Sequence, residues 1–204
     1  MLVIIDYGVG NLGSIRNMLR KTGAESVISS DKNEIEKADK LILPGVGAFD
    51  YGMSKLHEYG FVDLLNEKVL EKKIPILGIC LGAQLFTQKS AEGKMNGLGW
   101  FDAETVKFDF GNSSSLKIPH MGWNNVSYHP ENRLFKDMHE EVRFYFVHSY
   151  HLKSNKPEEV IAKTNYGYEF AAGLEHGNIA GVQFHPEKSH KFGMKLLKNF
   201  IQLY

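Results

Sequence analysis

The chain has 204 residues, with 24 Lys and Arg against 24 Asp and Glu, so its formal net charge is zero. That balance argues against a general nucleic-acid or anionic-membrane binder, which carries a basic excess. The length suits one α/β domain over residues 1–204, and a chain of this size buries roughly 70% of its unfolded surface, enough for a core without disulfide or metal.

In chain order, the first half alternates strand-like and helix-like segments. Leu2 to Ile5 is a short apolar strand with an acid, Asp6, directly behind it and no basic residue before Arg16, which is unlike a secretory signal. Asn11 to Lys21 reads as a helix with Leu12, Ile15 and Leu19 on one face, ended by Gly23. Ser26 to Ser29 and Lys40 to Leu43 are short strands, and Asp31 to Ala38 between them looks helical. Phe61 to Lys72 is amphipathic, and Pro75 to Ile79 returns as a strand. Such alternation implies a parallel sheet flanked by helices. The second half is richer in strands: Phe101 to Phe108, Val142 to Val147, Val160 to Thr164, Ala171 to Glu175 and Ile179 to Phe184, with a polar loop over Phe110 to Ser115. A closing helix spans His190 to Leu203 with Phe192, Leu196, Phe200 and Leu203 on its apolar face. The expected fold is one α/β domain with a mixed, mainly parallel sheet. No apolar run approaches the ~20 residues that span a bilayer. The single cysteine, Cys80, lacks an internal disulfide partner, so the chain is expected to be cytoplasmic.

The most informative stretch is Pro75-Ile76-Leu77-Gly78-Ile79-Cys80-Leu81-Gly82-Ala83-Gln84, an apolar strand running into Gly-x-Cys-x-Gly. This is the cysteine form of a nucleophile elbow, in which a strand turns sharply into a helix and the nucleophile sits on a strained backbone. The helix N-terminus beneath Cys80 favours a thiolate, and the N–H of Leu81 is placed to bind an oxyanion. The alternative is a small core cysteine between incidental glycines. A cysteine nucleophile needs a base. Of nine histidines, His185 stands out, because it follows an apolar strand and precedes Pro186-Glu187. In extended geometry Glu187 projects on the side of His185 and can orient its ring. Alone, His-Pro-Glu is more simply a solvated turn; with the elbow, Cys80, His185 and Glu187 form a candidate triad at strand carboxyl ends.

These motifs resemble the class I glutamine amidotransferases, which combine such an elbow with a late His-Pro-Glu and an early Pro-Gly-rich oxyanion loop, here Pro44-Gly45-Val46-Gly47. Within that family the strings Ile5-Asp6-Tyr7-Gly8-Val9-Gly10-Asn11-Leu12, Leu43 to Phe49, Pro119-His120-Met121-Gly122-Trp123-Asn124, Phe144 to Tyr150 and Gly181 to Ser189 are most similar to the glutaminase subunits of imidazole glycerol phosphate synthases. Ala83 departs from the methionine usual in the family's elbow. The resemblance implies hydrolysis of L-glutamine through a Cys80 γ-glutamyl thioester, without metal or cofactor. It implies an oxyanion hole from the N–H groups of Val46 and Leu81, and glutamine held by Gly47, Gln84, Ser149 and Tyr150. It also implies a heterodimer with a (β/α)₈ synthase subunit that takes the ammonia, approached through Asn11, Met121 and Trp123. Related subunits feed amino-sugar modification of surface polysaccharides, so the final acceptor stays open. An idle scaffold on the same fold and another elbow-type hydrolase, such as a γ-glutamyl peptidase, are the readings of other kinds; the complete triad argues against the first and the interface-like strings against the second.

Two patterns point elsewhere. Gly8-Val9-Gly10-Asn11-Leu12-Gly13 matches Gly-x-Gly-x-x-Gly, with Asp31 near the spacing of a ribose-binding acid, which makes a dinucleotide site the rival by pattern. His148 and His151, with His120 elsewhere, suggest a metal but lack a second-pair spacing, and they read better as flanking a substrate-binding turn.

Overall fold

The computed structural model describes residues 1–111 and 115–204, so the centre of the polar loop expected over Phe110 to Ser115 lies outside the described residues. The first half builds β1 (Leu2–Ile5), α1 (Leu12–Lys21), β2 (Ser26–Ser29), α2 (Lys32–Glu36), β3 (Lys40–Gly45), α3 (Phe49–Glu58) and α4 (Phe61–Asn66), which runs on as a π-helical turn over Glu67–Glu71. Then come β4 (Ile76–Cys80) and the short α5 (Leu81–Leu85). The second half adds β5 (Lys89–Ser90), β6 (Ala103–Lys107), β7 (His120–Asn125), β8 (Ser127–Tyr128), β9 (Arg143–His148), β10 (Tyr150–Ser154), β11 (Val160–Tyr166), β12 (Tyr168–His176), β13 (Ile179–Val182) and α6 (His190–Leu203).

The main sheet runs β2-β1-β3-β4-β13-β12-β10-β6-β5, with β11 and β8 continuing beyond β12. From β2 through β13 all neighbours are parallel, and from β13 to β6 they are antiparallel. The expected mixed sheet, parallel early and antiparallel late, is therefore found. A separate antiparallel ribbon pairs β7 with β9. β13 inserts beside β4 although about a hundred residues separate them, with Val182 opposite Ile79. That pairing sets the carboxyl ends of the two strands side by side.

The central strands are buried on both faces, which explains continuous apolar runs in place of alternation. Val3, Ile5, Leu41 and Leu43 pack with Phe49, Met53, Phe61 and Phe86 on one side. Leu2, Ile4 and Ile42 pack with Ile15, Leu19, Phe192, Leu196 and Phe200 on the other. α2 starts where Asp31 caps it, accepting the Asn33 N–H at 2.8 Å, so Asp31 serves as a helix cap.

The elbow is shaped by close packing. A Cβ on Gly82 would sit 1.8 Å from the Leu43 carbonyl oxygen, and one on Gly78 would sit 2.6 Å from the Phe86 ring and 2.8 Å from the Ala83 backbone. Both glycines are required because strand, turn and helix cross within contact distance. Gly82→Ala should therefore destabilise the fold by more than about 3 kcal/mol. Gly13→Ala, at an α1 position where a Cβ meets nothing within 4 Å, should stabilise it by about 0.5–1 kcal/mol. Urea unfolding of both variants checks the contrast, and equal stabilities would refute the packing account.

Candidate active site

Cys80 ends β4 with φ 53° and ψ −110°, a conformation that costs a non-glycine residue about 1–3 kcal/mol. The strain turns the thiol away from the sheet and into a cleft of about 390 Å³. The cleft is lined by Val46, Gly47, Ala48, Cys80, Leu81, Gln84, Glu92, Val147, His148, Ser149, Tyr150 and His185. Eight of these are the catalytic, oxyanion and glutamine-binding residues expected from the sequence, and His148 is the turn-flanking histidine; Glu187 stands behind His185.

His185 Nδ1 and Glu187 Oε1 are 2.8 Å apart, and both side chains are about 2% exposed. The expected geometry is only half right. Pro186–Lys188 forms a 3₁₀ turn, so Glu187 reaches the ring by folding back and not by alternation along a strand. The turn is pinned by the Ser189 hydroxyl, which donates to the His185 carbonyl at 2.6 Å and accepts the Tyr145 N–H at 3.0 Å. The His185 N–H bonds the Tyr145 carbonyl at 2.9 Å, which docks the turn on β9. His185 Nε2 is buried without an ordinary hydrogen-bond partner among the described residues. Its electrostatic partner is Cys80. Burial alone lowers the His185 pKa, but the Cys80 charge and hydrogen bond, with the Glu187 carboxylate behind the ring, outweigh it and push the pKa up to about 10.

Val46 follows β3 and is 45% exposed, while Gly47 sits at φ +102° with open space about it. Just before them the chain is tightly held: a Cβ on Gly45 would lie 2.7 Å from the Tyr7 hydroxyl and 2.8 Å from Leu81. Tyr7 donates its hydroxyl to the Pro44 carbonyl at 2.7 Å, and Gly10 packs against the Pro44 ring. The glycine-rich turn before α1 thus serves as packing for the loop at Val46, which explains it without a dinucleotide. Leu81 opens α5, where a backbone N–H has no helical acceptor.

Two polar residues in or beside the cleft had no signal in the sequence. Glu92 lines its wall, and its Oε2 accepts the Phe49 N–H at 2.8 Å. Gln183, fully buried, points its amide nitrogen at the Cys80 sulfur at 3.9 Å. Gln84 donates to the Tyr150 carbonyl at 3.0 Å and to the Gln183 carbonyl at 3.3 Å. Ala83, the departure in the elbow, is fully buried, with Gly181 close behind it. Met121 and Trp123 project from β7 at 61% and 42% exposure, Trp123 stacking on His190 at 5.5 Å. Asn11 is exposed on a separate segment, at the head of α1.

The glutamine amidotransferase class-I family pattern matches residues 3–203. The chain belongs to the class I glutamine amidotransferases. It is 53% identical over 202 residues, 99% of each chain, to imidazole glycerol phosphate synthase subunit HisH 2 of Methanococcus maripaludis. It is 49% identical over 203 residues, 100% of each chain, to the protein of the same name from Pseudomonas aeruginosa. A crystal structure of a glutamine amidotransferase superposes with TM-score 0.76 at 19% identity, over 98% of this chain and 97% of the other. A glutamine amidotransferase from Thermotoga maritima gives 0.61 at 21% identity, over 100% of this chain and 81% of the other. These two structures share the amidotransferase fold.

The elevated His185 pKa yields a prediction. The imidazolium should persist through neutral pH and be lost near pH 10. Glu187→Gln removes one of the charges that hold it, so the titration should move to lower pH. Ring NMR of labelled histidine reads both values; a wild-type His185 titrating near the ordinary ~6.5 would contradict the assignment.

Proposed function

We propose that the chain is a cytoplasmic glutaminase subunit of imidazole glycerol phosphate synthase. It releases ammonia from L-glutamine for a (β/α)₈ cyclase partner, which makes imidazole glycerol phosphate and aminoimidazole carboxamide ribotide in histidine biosynthesis. The observation that carries the chemistry is the strained Cys80 in a cleft shared with a buried His185–Glu187 pair. The names of the relatives supply the pathway.

The Cys80 thiolate adds to the side-chain amide carbon of glutamine, and the N–H groups of Val46 and Leu81 receive the oxyanion. His185 gives its proton to the amide nitrogen as the C–N bond breaks, and ammonia leaves a γ-glutamyl thioester. Water then attacks the thioester, its proton passing to His185, and glutamate departs as the Cys80 thiolate is restored. Glu187 orients the ring throughout. Gly47, Gln84, Ser149 and Tyr150 hold the substrate, and the Glu92 carboxylate suits its α-ammonium. Asn11, Met121 and Trp123 face the partner.

Cys80→Ser should abolish glutamine hydrolysis while leaving the protein folded, and His185→Ala should cost more rate than Glu187→Ala, since an orienting group contributes less than the base it orients. Glutamate release decides both, and normal turnover by Cys80→Ser would sink the triad.

A free glutaminase wastes glutamine, so activity should depend on the partner. Val46 is exposed and followed by Gly47, which has open space about it, so the backbone beyond the tightly held Gly45 can reorient at low cost. One oxyanion donor is worth roughly 3 kcal/mol, or about a hundredfold in rate. A partner that favours the donating orientation supplies that gain by population shift. Trp123→Ala should weaken partner stimulation and leave basal hydrolysis nearly intact. Glutamate production by the isolated chain, with partner, and with partner plus acceptor ligand measures this; full activity of the isolated chain, unchanged by any partner, would disprove the coupling.

A further inference from the structure

The two faces of β7 do different things. Met121 and Trp123 face outward, whereas His120 and Asn124 face inward and are joined to the cleft by hydrogen bonds. His148 Nδ1 lies 2.8 Å from the Tyr150 carbonyl. A carbonyl only accepts, so Nδ1 carries the hydrogen and Nε2 of the neutral ring is an acceptor. His120 Nδ1, 3.0 Å from that Nε2, must then donate, which leaves His120 Nε2 to accept from the Asn124 amide at 3.2 Å. Asn124 also donates to the Asn165 carbonyl at 2.8 Å, which fixes its amide orientation. Only one assignment of hydrogens satisfies every contact. A second proton on either ring would set N–H against N–H.

Burial works in the same direction. It pulls the His148 pKa down to about 3, and His120 to about 4. Both rings are therefore neutral and non-titrating under ordinary conditions. At its inner end the relay closes the turn that presents Ser149: His148 ends β9, Tyr150 begins β10, and the bond between them spans the single residue Ser149. The Tyr150 carbonyl also receives the Gln84 amide, whose second hydrogen goes to Gln183, which in turn donates toward the Cys80 sulfur.

We propose that His120 and His148 are positioning residues for glutamine, a neutral two-histidine relay that holds Ser149, Tyr150 and Gln84 in the geometry the substrate needs and ties it to the strand bearing Met121 and Trp123. This rests on the glutaminase reading above. Neither ring moves a proton. Each acts by donating one hydrogen bond in a fixed direction.

The ring of His120 also stacks between Tyr166 and Phe146, with centroids at 4.2 and 4.7 Å, so hydrogen bonding and stacking must be separated. His120→Phe keeps the stack and loses both hydrogen bonds. His120→Asn loses the stack, but its amide nitrogen replaces Nδ1 as donor to His148. In the chain with its synthase partner and acceptor ligand, His120→Phe should raise the KM for glutamine about three- to tenfold with kcat within about twofold, as the loss of the buried hydrogen bond to His148 predicts. His120→Asn should restore KM despite a lower melting temperature. Nitrogen NMR of the wild type should show His120 and His148 as Nδ1–H tautomers unchanged between pH 5 and 8, a range set by ordinary histidine titration. A KM that follows ring stacking instead, an unaltered KM in His120→Phe, or an Nε2–H tautomer at His148 would each overturn the relay. Absence of glutamine turnover by the wild-type complex is a different result and would overturn the function itself.

Discussion

The backbone of Cys80, at φ 53° and ψ −110°, is the constraint on which the site depends. Left to itself, a cysteine would relax to an extended or helical conformation and carry its sulfur into the sheet. It does not relax because both sides are fixed. β4 is locked in parallel register with β3 and β13, with Gly45 opposite Cys80 and Val182 opposite Ile79. α5 is pressed so closely on β3 that no side chain fits at Gly82. Burial of the central sheet on both faces supplies the stability that offsets a local cost of about 1–3 kcal/mol. The same packing that forms the core therefore presents the nucleophile.

Three chain segments far apart in sequence meet at this point. β13 brings His185 beside Cys80, β9 holds the His185 turn through Tyr145 and Ser189, and the end of β3 brings Val46 across the cleft. Only the late insertion of β13 next to β4 makes this possible, so the topology and the proposed triad are one design. The Val46 loop has the opposite character. It is anchored firmly through Tyr7 and Pro44 on one side and left exposed and glycine-flanked on the other. Under the proposed function, a rigid nucleophile beside a permissive oxyanion loop suits an enzyme whose rate is set by what binds elsewhere.

Much of this was legible in the sequence, and the omissions have physical causes. Strands buried on both faces read as apolar runs, and the glycines of the elbow announce a turn that tolerates no Cβ. α3 was missed because one of its inward positions is glycine: Phe49, Gly52, Met53 and Leu56 have helical spacing, but at Gly52 a Cβ would meet Leu81 and Leu85 at 3.2 Å. β7 was missed because its alternation is inverted. The inward residues His120 and Asn124 are polar, since they face a hydrogen-bonded relay, and the outward residues Met121 and Trp123 are apolar and exposed. A period-two pattern with the polar side inside reads as a loop. Glu92 reaches the site by tertiary folding alone and nothing in its local sequence marks it, whereas Gln183 lies within the Gly181 to Ser189 string with no role of its own legible there. The orienting role of Glu187 was reached through strand alternation, whereas a 3₁₀ turn delivers it.

Nine histidines share one side chain, and in two that line the same cleft the surroundings push the pKa in opposite directions. Burial penalises the imidazolium of both. At His185 that penalty is overcome, because Cys80 and Glu187 flank the ring with negative charge on its two nitrogens. At His148 only the hydrogen bond to the Tyr150 carbonyl opposes it, and that is outweighed by burial together with the His120, His151 and His185 rings, which push His148 further toward neutrality. Separating the two values within one site gives each ring a single task. In the proposed reaction His185 keeps a proton to deliver to the leaving nitrogen. His148, held neutral, keeps its one hydrogen on the Tyr150 carbonyl that shapes the pocket. The division follows from where charge was placed around two otherwise identical rings.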